Sequence, residues 1–177
     1  MEKQLLEIKT RLQINKPDHE VFEAIVDPEK MSNYFISKSS GRMETGKQIN
    51  WQFPEFENDF MIRVGPVEAD KYISYYWIID NIELFVEINL LSVESRSTIV
   101  TVTEKSREND EAGINWLKGN TEGWSNFLAC LKAYLEYGIN LRKGAFDFLK
   151  TLHVFYVLKQ LNVLSLILNS NPAPFYE

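Results

Sequence analysis

Cysteine occurs once in the 177 residues, at Cys130. A disulfide needs two cysteines and a thiolate metal centre usually needs more, so neither an internal disulfide framework nor a multi-cysteine site is available. Histidine is nearly as scarce, with only His19 and His153. No HxxxH, CxxC or paired acidic pattern gives metal-ligand spacing, so no metal and no cofactor is expected. Basic residues are outnumbered, 19 against 25 acidic ones, for a net charge of −6. No run gathers them, which excludes an electrostatic nucleic-acid binder. Long uninterrupted apolar runs are missing as well. Charge breaks the opening stretch MEKQLLEIKT, so it reads as no signal peptide, and a cytoplasmic location is the expectation. The most apolar stretch, Leu152–Leu168, has 12 apolar residues of 17 but carries Lys159, Gln160 and Asn162 at its middle, so no membrane span is expected. Catalytic groups are sparse too. His19 sits between Asp18 and Glu20 in a first helical turn, and capping explains Asp18, Asp27 and Glu29. No catalytic residue is expected.

What the chain does have is apolar and aromatic bulk, 45% and 13% of its residues, enough for one domain with a core. Leu6, Ile8, Leu12 and Ile14 alternate with Glu7, Lys9, Arg11 and Gln13, which predicts a strand over Leu6–Ile14 with one buried face. Pro17 opens a short helix whose inner face is Val21, Phe22 and Ile25. Asp27-Pro28 breaks it, and Pro28–Tyr34 predicts a second. Ser37–Gly46 is read as polar with one short strand. Strands follow around Ile49–Phe53, Phe60–Val64, Lys71–Ile79, Ile82–Leu90 and Ser97–Glu104, with a bend at Gly65-Pro66 and a hairpin turn at Asp80-Asn81. Arg107–Gly113 reads as a charged loop.

Gly119–Gly138 is the strongest helical signal. Trp124, Phe127, Leu128, Leu131 and Leu135 fall on one face, Asn120 offers an N-cap and Gly138 a stop. Cys130 lies beside that face and is expected to be buried. One strand, two short helices, an antiparallel meander and one long helix make an α+β fold in which the helix covers the apolar side of the sheet.

Two stretches carry a family likeness: LLEIKTRLQINKPDHEVFEAIVDPEKMSNYF at Leu5–Phe35 and GNTEGWSNFLACLKAYLEYG at Gly119–Gly138. A proline-led helix with an inward Val21-Phe22 pair, and a closing Gly123-Trp124 helix followed by a basic segment at Gly138–Gly144, resemble the Aha1-like group of the START-related (SRPBCC) superfamily. The resemblance covers residues 1–148. It implies the helix-grip fold, a curved antiparallel sheet wrapped around a long C-terminal helix, with two short helices after the first strand and a cavity between sheet and helix. Residues 149–177 then form a C-terminal apolar extension, expected to be helical, for which packing on the domain, self-association into a homodimer and an unstructured or non-native extension are the competing readings.

The aromatics Trp51, Phe53, Tyr75, Trp77, Phe85, Trp116 and Trp124 bury large areas, and core packing alone could account for them. As functional residues, Trp51, Phe53, Trp77, Phe85, Trp116 and Trp124 are the candidates for lining a ligand cavity, with Arg42, Arg63, Asn50 and Thr101 as polar groups if they face inward. The expected function is non-enzymatic binding of a small hydrophobic ligand, lipid-like or aromatic. The resemblance implies an alternative, a protein-interaction module of the Hsp90 co-chaperone type with a chaperone partner. A second alternative is a cyclase- or dehydratase-like enzyme, which requires an ionisable residue in the cavity.

Overall fold

The computed structural model describes residues 5–79 and 81–148. The chain divides into two compact units, Met1–Lys143 and Gly144–Glu177. In the second, the described residues are 144–148, where the Phe146 and Phe148 rings lie 6.4 Å apart. The predicted apolar extension, 149–177, and His153 with it, lie outside the described residues.

In the first unit, β1 (Leu5–Ile14) is followed by α1 (Asp18–Val26) and the single turn α2 (Pro28–Met31). The strands β2 (Lys38–Ser39), β3 (Gln48–Gln52), β4 (Asp59–Glu68), β5 (Tyr72–Ile79), β6 (Ile82–Val93) and β7 (Ser97–Glu108) come next, and α3 (Glu111–Tyr137) closes the unit. All seven strands form one antiparallel sheet in the order β1-β7-β6-β5-β4-β3-β2. The sheet curves over α3, with two short helices after the first strand, as the helix-grip expectation requires.

Local chemistry explains most boundaries. β1 buries Ile8 and Ile14 and leaves its charged parity outside. α1 starts after Pro17 with Asp18 and Glu20 in its first turn, where carboxylates suit the helix dipole. Asp27 caps α2 by accepting from the Glu29 N–H at 2.9 Å. The second short helix stops at Met31, before Tyr34, whose hydroxyl donates to the Ala24 carbonyl at 3.0 Å and ties the segment after α2 to α1. The predicted bend in β4 is real: its pairing with β5 shifts register between Val64 and Val67. A Cβ on Gly65 would stand 2.6 Å from Ser74 Oγ, so the close approach of the two strands there suits glycine.

The long helix departs from expectation at its start. It begins at Glu111, not near Gly119, and its cap is Asp110, which accepts from the Gly113 N–H at 2.7 Å. Asn120 is therefore an interior residue. The stretch expected as a charged loop is instead the end of β7 and the first turn of α3. Burial of Trp116 explains the difference: an apolar contact early in the helix carries it through Gly119 and past Asn120, which had offered itself as the cap. Gly138, with φ of 67°, is the stop, as predicted. The second half of α3 is fastened to β1, since Asn15 N–H donates to Glu136 Oε1 at 2.6 Å and Lys132 Nζ to the Gln13 carbonyl at 2.9 Å. Cys130 is buried on this helix, as expected, and burial pushes its thiol pKa up.

Arg42 pairs with α1 rather than facing the interior. Its guanidinium donates to both oxygens of Glu23, at 3.0 and 2.6 Å. That side-chain hydrogen bond holds the Glu23 carboxyl below its ordinary value. A depressed folded-state pKa contributes stability that is complete above the unfolded value and disappears as pH falls through the folded one. Glu23→Gln should therefore be destabilising at neutral pH, and the gap to the unmodified protein should close as the pH is taken below the glutamate range. Urea midpoints measured for both proteins across pH check this, and a gap that stays constant with pH contradicts it.

Candidate functional site

The sheet's inner face is set by strand parity. One row across it reads Val64, Tyr75, Val86, Glu104 and Ile8 on β4, β5, β6, β7 and β1, all buried. The neighbouring row reads Ile49, Ile62, Trp77 and Leu84. α3 brings Trp124 and Phe127 against these rows, and the segment after α2 brings Tyr34 and Phe35.

Six aromatic rings then form a closed circuit. Going round it, ring centroids are 6.4 Å apart for Phe35–Trp51, 5.3 Å for Trp51–Tyr75 and 6.0 Å for Tyr75–Trp77. The circuit continues with 5.9 Å for Trp77–Trp124 and 5.7 Å for Trp124–Phe127, and closes with 4.7 Å for Phe127–Phe35. Most of these contacts are edge-on, the arrangement favoured by ring quadrupoles. Five of the six residues are buried, and Trp77 is half-buried, which makes it the most exposed member of the circuit.

Glu104 sits at that same side. Its side chain is fully buried, on the apolar parity of β7 with Val100 and Val102. Oε1 accepts from Trp77 Nε1 at 2.9 Å, and Oε2 accepts from Trp124 Nε1 and from Asn120 Nδ2, each at 2.9 Å. All three donors are neutral. Among the described residues no Lys, Arg or His lies within ion-pair distance of it. A carboxylate offers about four acceptor positions, so one on Oε1 is left over. At the opposite side the circuit is covered by Arg142, from the segment after α3. Its guanidinium lies 5.1 Å from the Phe35 ring centre and 5.5 Å from that of Phe53, and pairs with the buried Glu55.

Of the residues singled out from sequence, Trp51, Trp77 and Trp124 lie in the circuit. Phe53 adjoins it, 5.3 Å from Phe35 and 6.4 Å from Trp51. Trp116 is buried nearer the start of α3, outside the circuit, and its indole N–H has no partner among the described residues. Phe85 corrects the expectation. It has the opposite parity to Leu84 and Val86, so it lies on the outer face, its ring tilted against that of Tyr76 with centroids 4.6 Å apart. Its parity alone could have shown this. Arg63 is also outside, over the Tyr76 ring at 4.0 Å and paired with Glu83 at 2.6 Å. Asn50 is exposed and Thr101 has the outward parity of β7. None of the four expected polar groups faces the circuit; Glu104 and Asn120 do. The signal for Glu104 was a carboxylate on the parity of Val100 and Val102. No group of three His, Cys, Asp or Glu among the described residues could hold a metal ion. No helix of the described residues is long and apolar enough to cross a membrane.

Comparison with known proteins places this geometry among relatives. The family model described as Activator of Hsp90 ATPase homolog 1-like protein matches residues 15–136. The crystal structure of the protein SSP2350 from Staphylococcus saprophyticus is 36% identical, with 77% of this chain and 96% of that one covered and a TM-score of 0.68. The solution structure of the Aha1 dimer from Colwellia psychrerythraea is 19% identical, covering 75% of this chain and 98% of that one at a TM-score of 0.65. A START superfamily protein from Mycobacterium smegmatis is 12% identical, covering 75% and 99% at 0.61. The last two show the fold alone. No curated protein matches the chain.

Proposed function

The chain belongs to the activator of Hsp90 ATPase homolog 1-like family, with a START-like fold, and from that premise we propose that it binds a small hydrophobic ligand between the sheet and α3 without transforming it. The observation that carries this reading is the closed circuit of six aromatic rings, with half-buried Trp77 at one side and Arg142 over Phe35 at the other. Each ring touches the next, so the six make a continuous aromatic surface between the sheet and α3. Aromatic walls with one polar group are the usual make-up of a small-molecule pocket.

Such a site should enclose roughly 300 Å³ or more when occupied. Protein purified from cells should retain a small apolar mass in native mass spectrometry. An apolar dye should bind to the stripped protein, be displaced by aromatic or long-chain compounds, and raise the melting temperature. Trp77→Ala should weaken dye binding, because it removes one wall of the circuit. If no apolar compound shifts the melting temperature, the reading fails.

The family description supports a second reading, a protein-interaction module with a chaperone partner. Co-purification of a chaperone, with no retained small mass, would favour it. The Colwellia relative is a dimer, and sedimentation would decide whether this chain also forms a homodimer. The cyclase- or dehydratase-like alternative requires an ionisable group at the site, and Glu104 is the residue it would use.

A further inference from the structure

The least expected group in the interior is the Glu104 carboxylate. Its row-mates on the sheet are Ile8, Val86, Tyr75 and Val64, and an aliphatic side chain at the same position would continue the row. A buried carboxylate is costly unless it is paired, and here no described cation pairs with it. It is instead held by three neutral donors. Two of these, the Trp77 and Trp124 indoles, belong to the walls of the circuit, and the third, Asn120, is on the same helix as Trp124. These contacts fix the carboxylate's position and fill both positions on Oε2, but leave one on Oε1. Oε1 is also the oxygen bound to Trp77, the most exposed residue of the circuit.

We propose that Glu104 selects the ligand by its polar end. The remaining Oε1 position accepts a hydrogen bond from an N–H or O–H carried on an aromatic or apolar body, and acids are rejected. This inference rests on the binding reading above and narrows it: fatty acids and other carboxylates are excluded, and apolar amines and alcohols are favoured. A second negative charge beside Glu104 would meet repulsion that little water screens. A donor would complete the acceptor set, and a cationic one would add the missing countercharge, with aromatic faces nearby to receive it.

The test is a series built on one body: naphthylmethylamine, naphthylmethanol, methylnaphthalene and naphthoic acid, all substituted at the same ring position. Titration calorimetry of the full chain near neutral pH gives their dissociation constants. The amine and the alcohol should each bind at least about tenfold tighter than the hydrocarbon, and the acid at least about tenfold weaker than it. Glu104→Gln removes the charge and should bring all four to within about threefold of one another. If that variant does not fold, Trp77→Phe serves instead. It keeps a ring in place and frees a further position on Oε1, so the preference for the amine over the hydrocarbon should widen. Equal binding of all four compounds to the unmodified protein, or tightest binding of the acid, overturns the inference while leaving the binding reading standing. If none of the four binds and an apolar dye does not bind either, the binding reading fails and the inference with it.

Discussion

Trp124→Ala should lower the unfolding free energy by about 3–5 kcal/mol, among the largest losses a single core truncation gives. The indole is only 3% exposed, lies mid-way along α3, and has Trp77 on one side and Phe127 on the other. Its removal takes two ring contacts out of the circuit and opens a void against the sheet. It also removes one of three donors to Glu104, leaving Oε2 with Asn120 alone. A buried acceptor deprived of a donor adds its own penalty, so the upper part of the range is expected. Trp124→Phe separates the two effects. It restores a ring, loses the N–H, and should cost about 1–3 kcal/mol through Glu104. Urea denaturation of the three proteins measures both steps. An alanine variant with an unchanged midpoint would remove Trp124 from its place as the anchor of the helix.

Gly113→Ala is expected to be nearly as damaging, at about 3 kcal/mol, although it adds only a methyl group. A Cβ at this position would stand 1.9 Å from the Glu108 carbonyl oxygen and 3.2 Å from Leu6 Cδ1. The first atom is backbone at the end of β7 and cannot swing aside. Either the first turn of α3 lifts, breaking the Asp110 cap, or the last β1–β7 pairs, Leu5–Glu108 and Leu6–Arg107, give way. The two glycines later in the same helix make the control. At Gly119 and Gly123 a Cβ would meet nothing within 4 Å, so alanine there should stabilise the protein by about 0.5–1 kcal/mol each. Thermal melts of the three single variants distinguish the cases. Equal effects at all three positions would mean that the close approach at Gly113 is not what requires glycine.

These glycines also show what a sequence reveals and what it hides. Strand parity was legible in β1 and β6, where alternation is clean, and the bend at Gly65-Pro66 was legible from its residues. Gly113, Gly119 and Gly123 look alike in a sequence, yet only the first is pressed against another backbone. A capping residue is a local signal, so Asn120 placed the start of α3 beside Gly119, whereas the helix begins at Glu111 and buries Trp116. The site was partly legible. Trp51, Trp77 and Trp124 were identified by size. Their closure into a circuit with Phe35, Tyr75 and Phe127 depends on registers between strands far apart in the chain, which periodicity does not encode. Glu104 needed only the parity of its own strand, and was hidden because carboxylates are assumed to face water.

The position of β1 beside β7 has a consequence for how the chain is made. The strands from β3 to β7 are sequential neighbours, and each can zip to the one before it as it emerges. β1 cannot do so. Its partners lie between Thr98 and Glu108, so its ten residues leave the ribosome about a hundred residues before their mates do. At about 5–20 residues per second, that is a wait of roughly 5–20 seconds with Ile8, Leu12 and Ile14 uncovered. α3 comes later still, since the hydrogen bonds that lock it to β1 come from Lys132 and Glu136. Among the described elements, the contacts of β1 with β7 and α3 thus span the greatest separations along the chain, the kind of contact that slows folding.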